Sequence, residues 1–201
     1  MKKVVHRDIK LDNILIKQIE DKENYEVTVA DFGLATFTLK DEMIEHKCGS
    51  PGYVAPEIFK KSGYSYKADI FSLGSVCFNL LTGRYLFSAD NQQDLLIKNI
   101  KCQTAHIVKY LQNTTPECRD LLFKMIEIDP LKRLSAKEAL MHDWFKIDKG
   151  VIIKLLQENK IMCLPQEKAS NMNVIRAHPF QIGPYGTDNS NQNYTYMINS
   201  F

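Results

Sequence analysis

With 201 residues, 44% of them apolar and 25% charged, the chain has the material for one domain with a sizeable core. A net charge of +2, with Lys and Arg scattered, excludes charge-driven binding to nucleic acid or membrane, no apolar run is long enough to span a bilayer, and the start MKKVVHRD lacks the apolar core of a secretion signal. Five cysteines (Cys48, Cys77, Cys102, Cys118 and Cys163) without metal-ligand spacing fit reduced thiols in a soluble, intracellular, cytoplasmic protein.

In chain order, Val4 and Val5 are β-branched and suit a short strand entering the polar run His6–Asn13, HRDIKLDN. That loop gathers an acid, a base and an amide. Asp8 can accept a proton, Lys10 can neutralise a phosphate, and Asn13 can offer an oxygen to a metal. Ile14–Ile16 and Val27–Ala30 read as a β-hairpin around a polar turn, with Asp31 at its exit. Gly33 is expected to make the sharp turn of Asp31-Phe32-Gly33. Residues 34–47 carry no periodicity and read as loop, which Gly49-Ser50-Pro51-Gly52 continues. Pro56 suits a first helical position, with Glu57 in the first turn.

From Lys67 to Leu81, the residues Ile70, Phe71, Leu73, Val76, Cys77, Phe78, Leu80 and Leu81 occupy nearly all sides of a helix, which predicts a buried one. Asp69 carries a carboxylate into its start and needs donors there, so it is expected to anchor other backbone; Gly83 is the stop. Asp90–Ile100 is amphipathic. Thr115-Pro116 opens a helix carrying Leu121, Leu122, Met125 and Ile126, which Asp129-Pro130 is expected to close. Ser135 and Glu138 form a capping-box pattern ahead of Leu140 and Trp144, and Val151–Leu156 is a last short apolar run. Beyond Pro165, six asparagines and little periodicity predict a disordered tail.

HRDIKLDN, ADFGLA and CGSPGYVAPEI, in that order, resemble the signature of eukaryotic serine/threonine protein kinases. ADIFSLG, LLTGR and DPLKRLSAKEALMHDWF extend the resemblance over residues 4–146, and the calcium/calmodulin-dependent group is the most similar. The resemblance implies a kinase-like C-terminal lobe: an α+β fold, mainly helical with a short hairpin. It implies ATP-dependent phosphoryl transfer to protein Ser or Thr, with ATP and Mg²⁺ as cofactors. Asp8 resembles the catalytic base, and Lys10 the lysine on the transferred phosphate. Asn13 and Asp31 resemble the metal ligands, and Leu15, with Ala30, the residues at the adenine ring. Lys10 together with Ser50, which would touch Asp8 and Lys10, points to serine/threonine rather than tyrosine specificity. Arg7 matches the arginine that binds a phosphorylated loop residue. Because Leu39–Gly49 has no Ser or Thr, Glu42 or Glu45 is expected to face Arg7 instead. His6 and Phe32 resemble members of a stacked apolar spine, Glu57 an ion-pair partner of Arg133, and Asp69 the acceptor of the HRD backbone.

The implied organisation is a partial kinase domain over residues 1–146 from the HRD loop onward, a short helical extension over 147–164, and an Asn-rich tail over 165–201. The Gly-rich loop, strand lysine and helix glutamate of a kinase precede the HRD loop, where this chain has five residues, so the N-terminal lobe is expected to be absent. Expected partners are ATP, a protein substrate and a chain supplying that lobe, with no nucleic acid and no membrane. Two readings stay open: a fragment of an active kinase, and a catalytically inactive binding or decoy module. The isolated chain is expected to show little ATP binding or phosphotransfer.

Overall fold

The apolar run after Lys67 forms a 16-residue helix, α1 (Lys67–Thr82), in a computed structural model that describes residues 3–18, 25–39, 42–146 and the backbone of 180–181. It stops at Gly83, whose left-handed φ of 66° lets its N–H return to the Asn79 carbonyl at 2.7 Å. Phe71 and Phe78 of α1 enter the main apolar cluster with Ile58, Leu96, Ile107 and Leu122. Ile70 packs in a second cluster with Leu121, Met125 and Ala139. Gly74 admits the end of α3 (Pro116–Met125) so closely that a β-carbon there would stand 2.6 Å from Ile126 Cγ2. Burial on all sides is corrected in one respect: Leu73 and Leu80 are 37% and 62% exposed. They lie seven residues apart, so both fall on one stripe of the helix.

The other helices start where side chains satisfy their first N–H groups. Asn91 caps α2 (Gln92–Lys101) by accepting from the Asp94 N–H at 2.9 Å, and α2 buries Leu95 and Leu96. Thr115 accepts from the Cys118 N–H at 3.1 Å ahead of Pro116. α3 ends at Met125, short of Asp129-Pro130. Asp129 instead organises the next turn, its carbonyl accepting from the Lys132 and Arg133 N–H groups. Ser135 and Glu138 form both halves of the capping box of α4 (Ala136–Leu140). Pro56–Phe59 is a single 3₁₀ turn. No helix among the described residues is long and apolar enough to cross a membrane.

The strands frame the polar loops. β1 (Lys3–Val5) leads into His6–Asn13, and β2 (Ile14–Gln18) leaves it to pair antiparallel with β3 (Tyr25–Val29), Ile14 opposite Val29. The hairpin is therefore present, ending one residue before Ala30. Residues 34–47 are not wholly loop: β4 (Thr36–Thr38) pairs with β1, Val5 opposite Thr36, and Ile44 forms a bridge with Tyr64. Three residues are too few to display a period of two, and the partner strand lies 31 positions away. β5 (Cys48–Gly49) pairs antiparallel with β6 (Phe180–Gln181). The turn over 19–24, the run Val151–Leu156, Cys163, the extension 147–164 and the tail apart from β6 lie outside the described residues.

Candidate active site

The His6–Asn13 loop hangs from the start of α1. Arg7 holds a left-handed φ of 70°, a conformation that costs a non-glycine residue roughly 1–3 kcal/mol. The two carboxylate oxygens of Asp69 accept from the His6 N–H at 2.7 Å and the Arg7 N–H at 2.9 Å. Burial pushes the Asp69 carboxyl up from its ordinary value, and these two hydrogen bonds oppose that shift. The His6 ring sits between two further segments. Its Nε2 lies 3.0 Å from the Ala30 carbonyl, its Nδ1 accepts from the Asp8 N–H at 3.3 Å, and Phe32 packs edge-on at 4.8 Å. Those partners assign the proton to Nε2.

Three polar side chains converge beyond this support. Asp8 is buried, and its Oδ1 accepts from Ser50 Oγ at 2.7 Å while its Oδ2 pairs with Lys10 Nζ at 2.9 Å. Lys10 Nζ also donates to Ser50 Oγ at 3.1 Å, closing a triangle of acid, base and hydroxyl. Asn13 donates its amide N–H to the Asp8 carbonyl at 2.9 Å. The triangle can take a proton from a hydroxyl at Asp8 and hold an anion at Lys10.

Asn13 spends its amide nitrogen on Asp8, which leaves its Oδ1 as the atom available to a cation. The Asn13 backbone carbonyl accepts from the Ala30 N–H at 2.8 Å, which brings the exit of the hairpin beside it. Asp31 follows, with an exposed carboxylate that accepts from the Gly33 N–H at 3.2 Å. The turn is made by Asp31, at φ 60°, and not by Gly33. One amide oxygen and one carboxylate form a hard donor pair suited to Mg²⁺, an ion that keeps several waters and takes further oxygens from phosphate. Among the described residues no group of three or more His, Cys, Asp or Glu is placed to hold a metal. Leu15 is exposed on β2, next in the chain after Ile14.

The segment Ser50–Val54 is clamped from behind by residues the sequence reading passed over. Asn99 Oδ1 accepts from the Gly52 N–H at 2.8 Å, its Nδ2 donates to the Val54 carbonyl at 2.6 Å, and Ser75 Oγ donates to the Gly52 carbonyl at 2.9 Å. A signal existed: Asn99 falls three and four positions after Leu96 and Leu95, a polar residue on the buried face of α2. Glu57 and Arg133 form a bidentate pair, with Arg133 only 1% exposed. Arg133 also donates to the carbonyls of Glu127 and Lys67 and stacks over the Phe71 ring at 5.0 Å.

The expectation for Arg7 is corrected. Its Nε donates to the Leu34 carbonyl, and its Nη1 stands 3.4 Å from His46 Nδ1. Glu42 folds back on its own loop, its Oε2 accepting from the Leu39 N–H at 2.7 Å, because that donor is only three residues away; Glu45 is exposed.

A family model described as the protein kinase domain matches residues 1–145. A probable serine/threonine-protein kinase 2 of Plasmodium falciparum is 39% identical over 142 residues, covering 71% of this chain and 27% of that protein. A probable serine/threonine-protein kinase fhkD of Dictyostelium discoideum is 36% identical, covering 72% of this chain and 21% of its own length. Myosin light chain kinase A of Dictyostelium discoideum is 35% identical, covering 71% of this chain and 48% of its own. The chain thus spans less than half the length of each of these three proteins.

Proposed function

Because the chain belongs to the protein kinase domain family, we propose that it is the substrate-side, metal-holding part of a serine/threonine protein kinase. The single observation that supports this best is the Asp8–Lys10–Ser50 triangle, which puts a base and a cation at one hydroxyl-sized position. In this reading Asp8 accepts the proton of a protein Ser or Thr hydroxyl as phosphorus is attacked. Lys10 stands against the phosphoryl oxygens, and Ser50 holds the two in register. Asn13 and Asp31 would hold Mg²⁺, which when bound neutralises charge on the phosphates of ATP. Leu15 and Ala30 would border the adenine. The motifs CGSPGYVAPE and ADIFSLG support placement near the calcium/calmodulin-dependent group, and the free thiols among the described residues support a cytoplasmic site of action.

The roof of the nucleotide site would come from a further segment or chain. Ile16 (63% exposed) and Val27 (61%), paired opposite each other on one side of the hairpin, support an apolar face for that covering part. The test is phosphotransfer from ATP to a Ser/Thr peptide by the 201-residue chain, alone and joined to any in-frame sequence that precedes it. Asp8→Asn should cut the rate about 10²–10⁴-fold. A rate indifferent to that change overturns the catalytic reading and favours a binding module.

A further inference from the structure

Between β4 and β5 the chain meets the catalytic loop through the His46 side chain. Arg7 precedes Asp8, and its guanidinium spans two segments: Nε bonds the Leu34 carbonyl, and Nη1 lies 3.4 Å from His46 Nδ1. The backbone around His46 is also tied to Tyr64. Ile44 and Tyr64 exchange backbone hydrogen bonds at 2.8 and 3.0 Å, and Tyr64 Oη donates to the His46 carbonyl at 2.7 Å. Four residues on, Ser50 Oγ reaches Asp8 at 2.7 Å. The same two loops are therefore joined at Arg7–His46 as well as by the bonds of Ser50 to Asp8 and Lys10.

We propose that His46 is a positioning residue, whose neutral imidazole accepts a hydrogen bond from Arg7 and so holds the loop carrying Ser50 in register with the loop carrying Asp8. A guanidinium has only donors, so its partner must accept, and imidazole Nδ1 accepts only while it carries no proton. At 3.4 Å the bond is long and readily lost. Protonation would put a cation against Arg7 and break the link.

The charged and titratable groups around His46 come from each packed segment. They are Arg7 on the catalytic loop, Tyr64 before α1, and Glu45, Lys47 and Cys48 beside it in the chain, with Asp8 and Asp69 acting on Cys48 and Lys61 acting on Lys47. Burial and then Arg7 lower the His46 pKa from its ordinary 6.5, which favours the neutral ring near neutrality. With the folded value depressed, the stability this contact contributes is complete above 6.5 and is lost as pH falls through the folded value. The inference rests on the proposed role of Asp8 only for its effect on rate; the contact stands without it.

The test is backbone amide hydrogen exchange at residues 44–50 of the 201-residue chain across about pH 5–8, corrected for intrinsic rates. Amides of α1 report whether the fold is intact. The wild-type chain should lose protection in this segment with a single acid step below the ordinary histidine range. His46→Gln, which accepts without titrating, should keep protection and lose the step. His46→Lys should reduce protection roughly tenfold at every pH. An unchanged acid step in His46→Gln, or full protection in His46→Lys with α1 intact, overturns the proposal. Exchange results as expected, with a phosphotransfer rate that Asp8→Asn leaves unchanged in the chain joined to any preceding in-frame sequence, would leave His46 in its place and remove the kinase reading instead.

Discussion

Two regions of this chain are held together by different forces. From Lys3 to Lys47, Val5 is the one apolar side chain buried among the described residues; the other buried ones there are His6, Asp8, Asn13 and Thr38. From Cys48 to Ala139 the buried set is dominated by aliphatic and aromatic residues around α1. Apolar burial supplies most of the folding free energy and is indifferent to direction. Hydrogen bonds supply little net energy and fix direction well. The helical part is thus a foundation; Asp69 aligns the His6–Asn13 loop upon it, and Asn99 and Ser75 hold the Ser50–Val54 segment beside that loop. A kinase-family site needs the second kind of contact, because its atoms must be placed to a few tenths of an ångström.

The largest effect should come from the buried ion pair within the helical part. Arg133→Ala would leave Glu57 buried and unpaired, and the chain should lose roughly 3–5 kcal/mol in urea unfolding. Removing both partners should cost less than twice that, since neither charge is then stranded.

Next is Asp69→Asn, which trades one of two acceptor oxygens for a donor facing the His6 or Arg7 N–H. A loss of about 2–3 kcal/mol is expected. Hydrogen exchange should show it concentrated in residues 6–13, with α3 little changed; uniform loss across the chain would erase the distinction between the regions.

In the helical part, Gly74→Ala gains helix propensity but drives a methyl into Ile126 and Met125. Overpacking of about 1–3 kcal/mol should outweigh a gain of about 1 kcal/mol, leaving a small net destabilisation by thermal unfolding. The smallest effect is on the surface. Lys124→Ala breaks an exposed ion pair with Asp120 and should change stability by less than about 1 kcal/mol, and less still in high salt.

Most of the helical part could be read directly from the chain. Thr115-Pro116 and the Ser135–Glu138 capping box mark helix starts, and Gly83 marks a stop, because caps and stops act over three or four residues. That Asp8, Lys10 and Asn13 lie together was legible for a similar reason, since they sit in one short motif. Leu73 and Leu80 were misread as buried because apolarity states what a residue prefers, not what lies opposite it.

What the sequence determined by itself was local: the helices, their caps, the hairpin and the list of reactive groups. What only the tertiary structure decided was which distant groups meet. β4 finds β1 across 31 positions, Asn99 clamps a loop 45 to 47 positions away, and Arg7 faces His46 and not Glu42. None of these has a periodic or adjacent signal. Each depends on loop closure over tens of residues, whose outcome is set by the packing of α1 and its neighbours rather than by the residues at the contact.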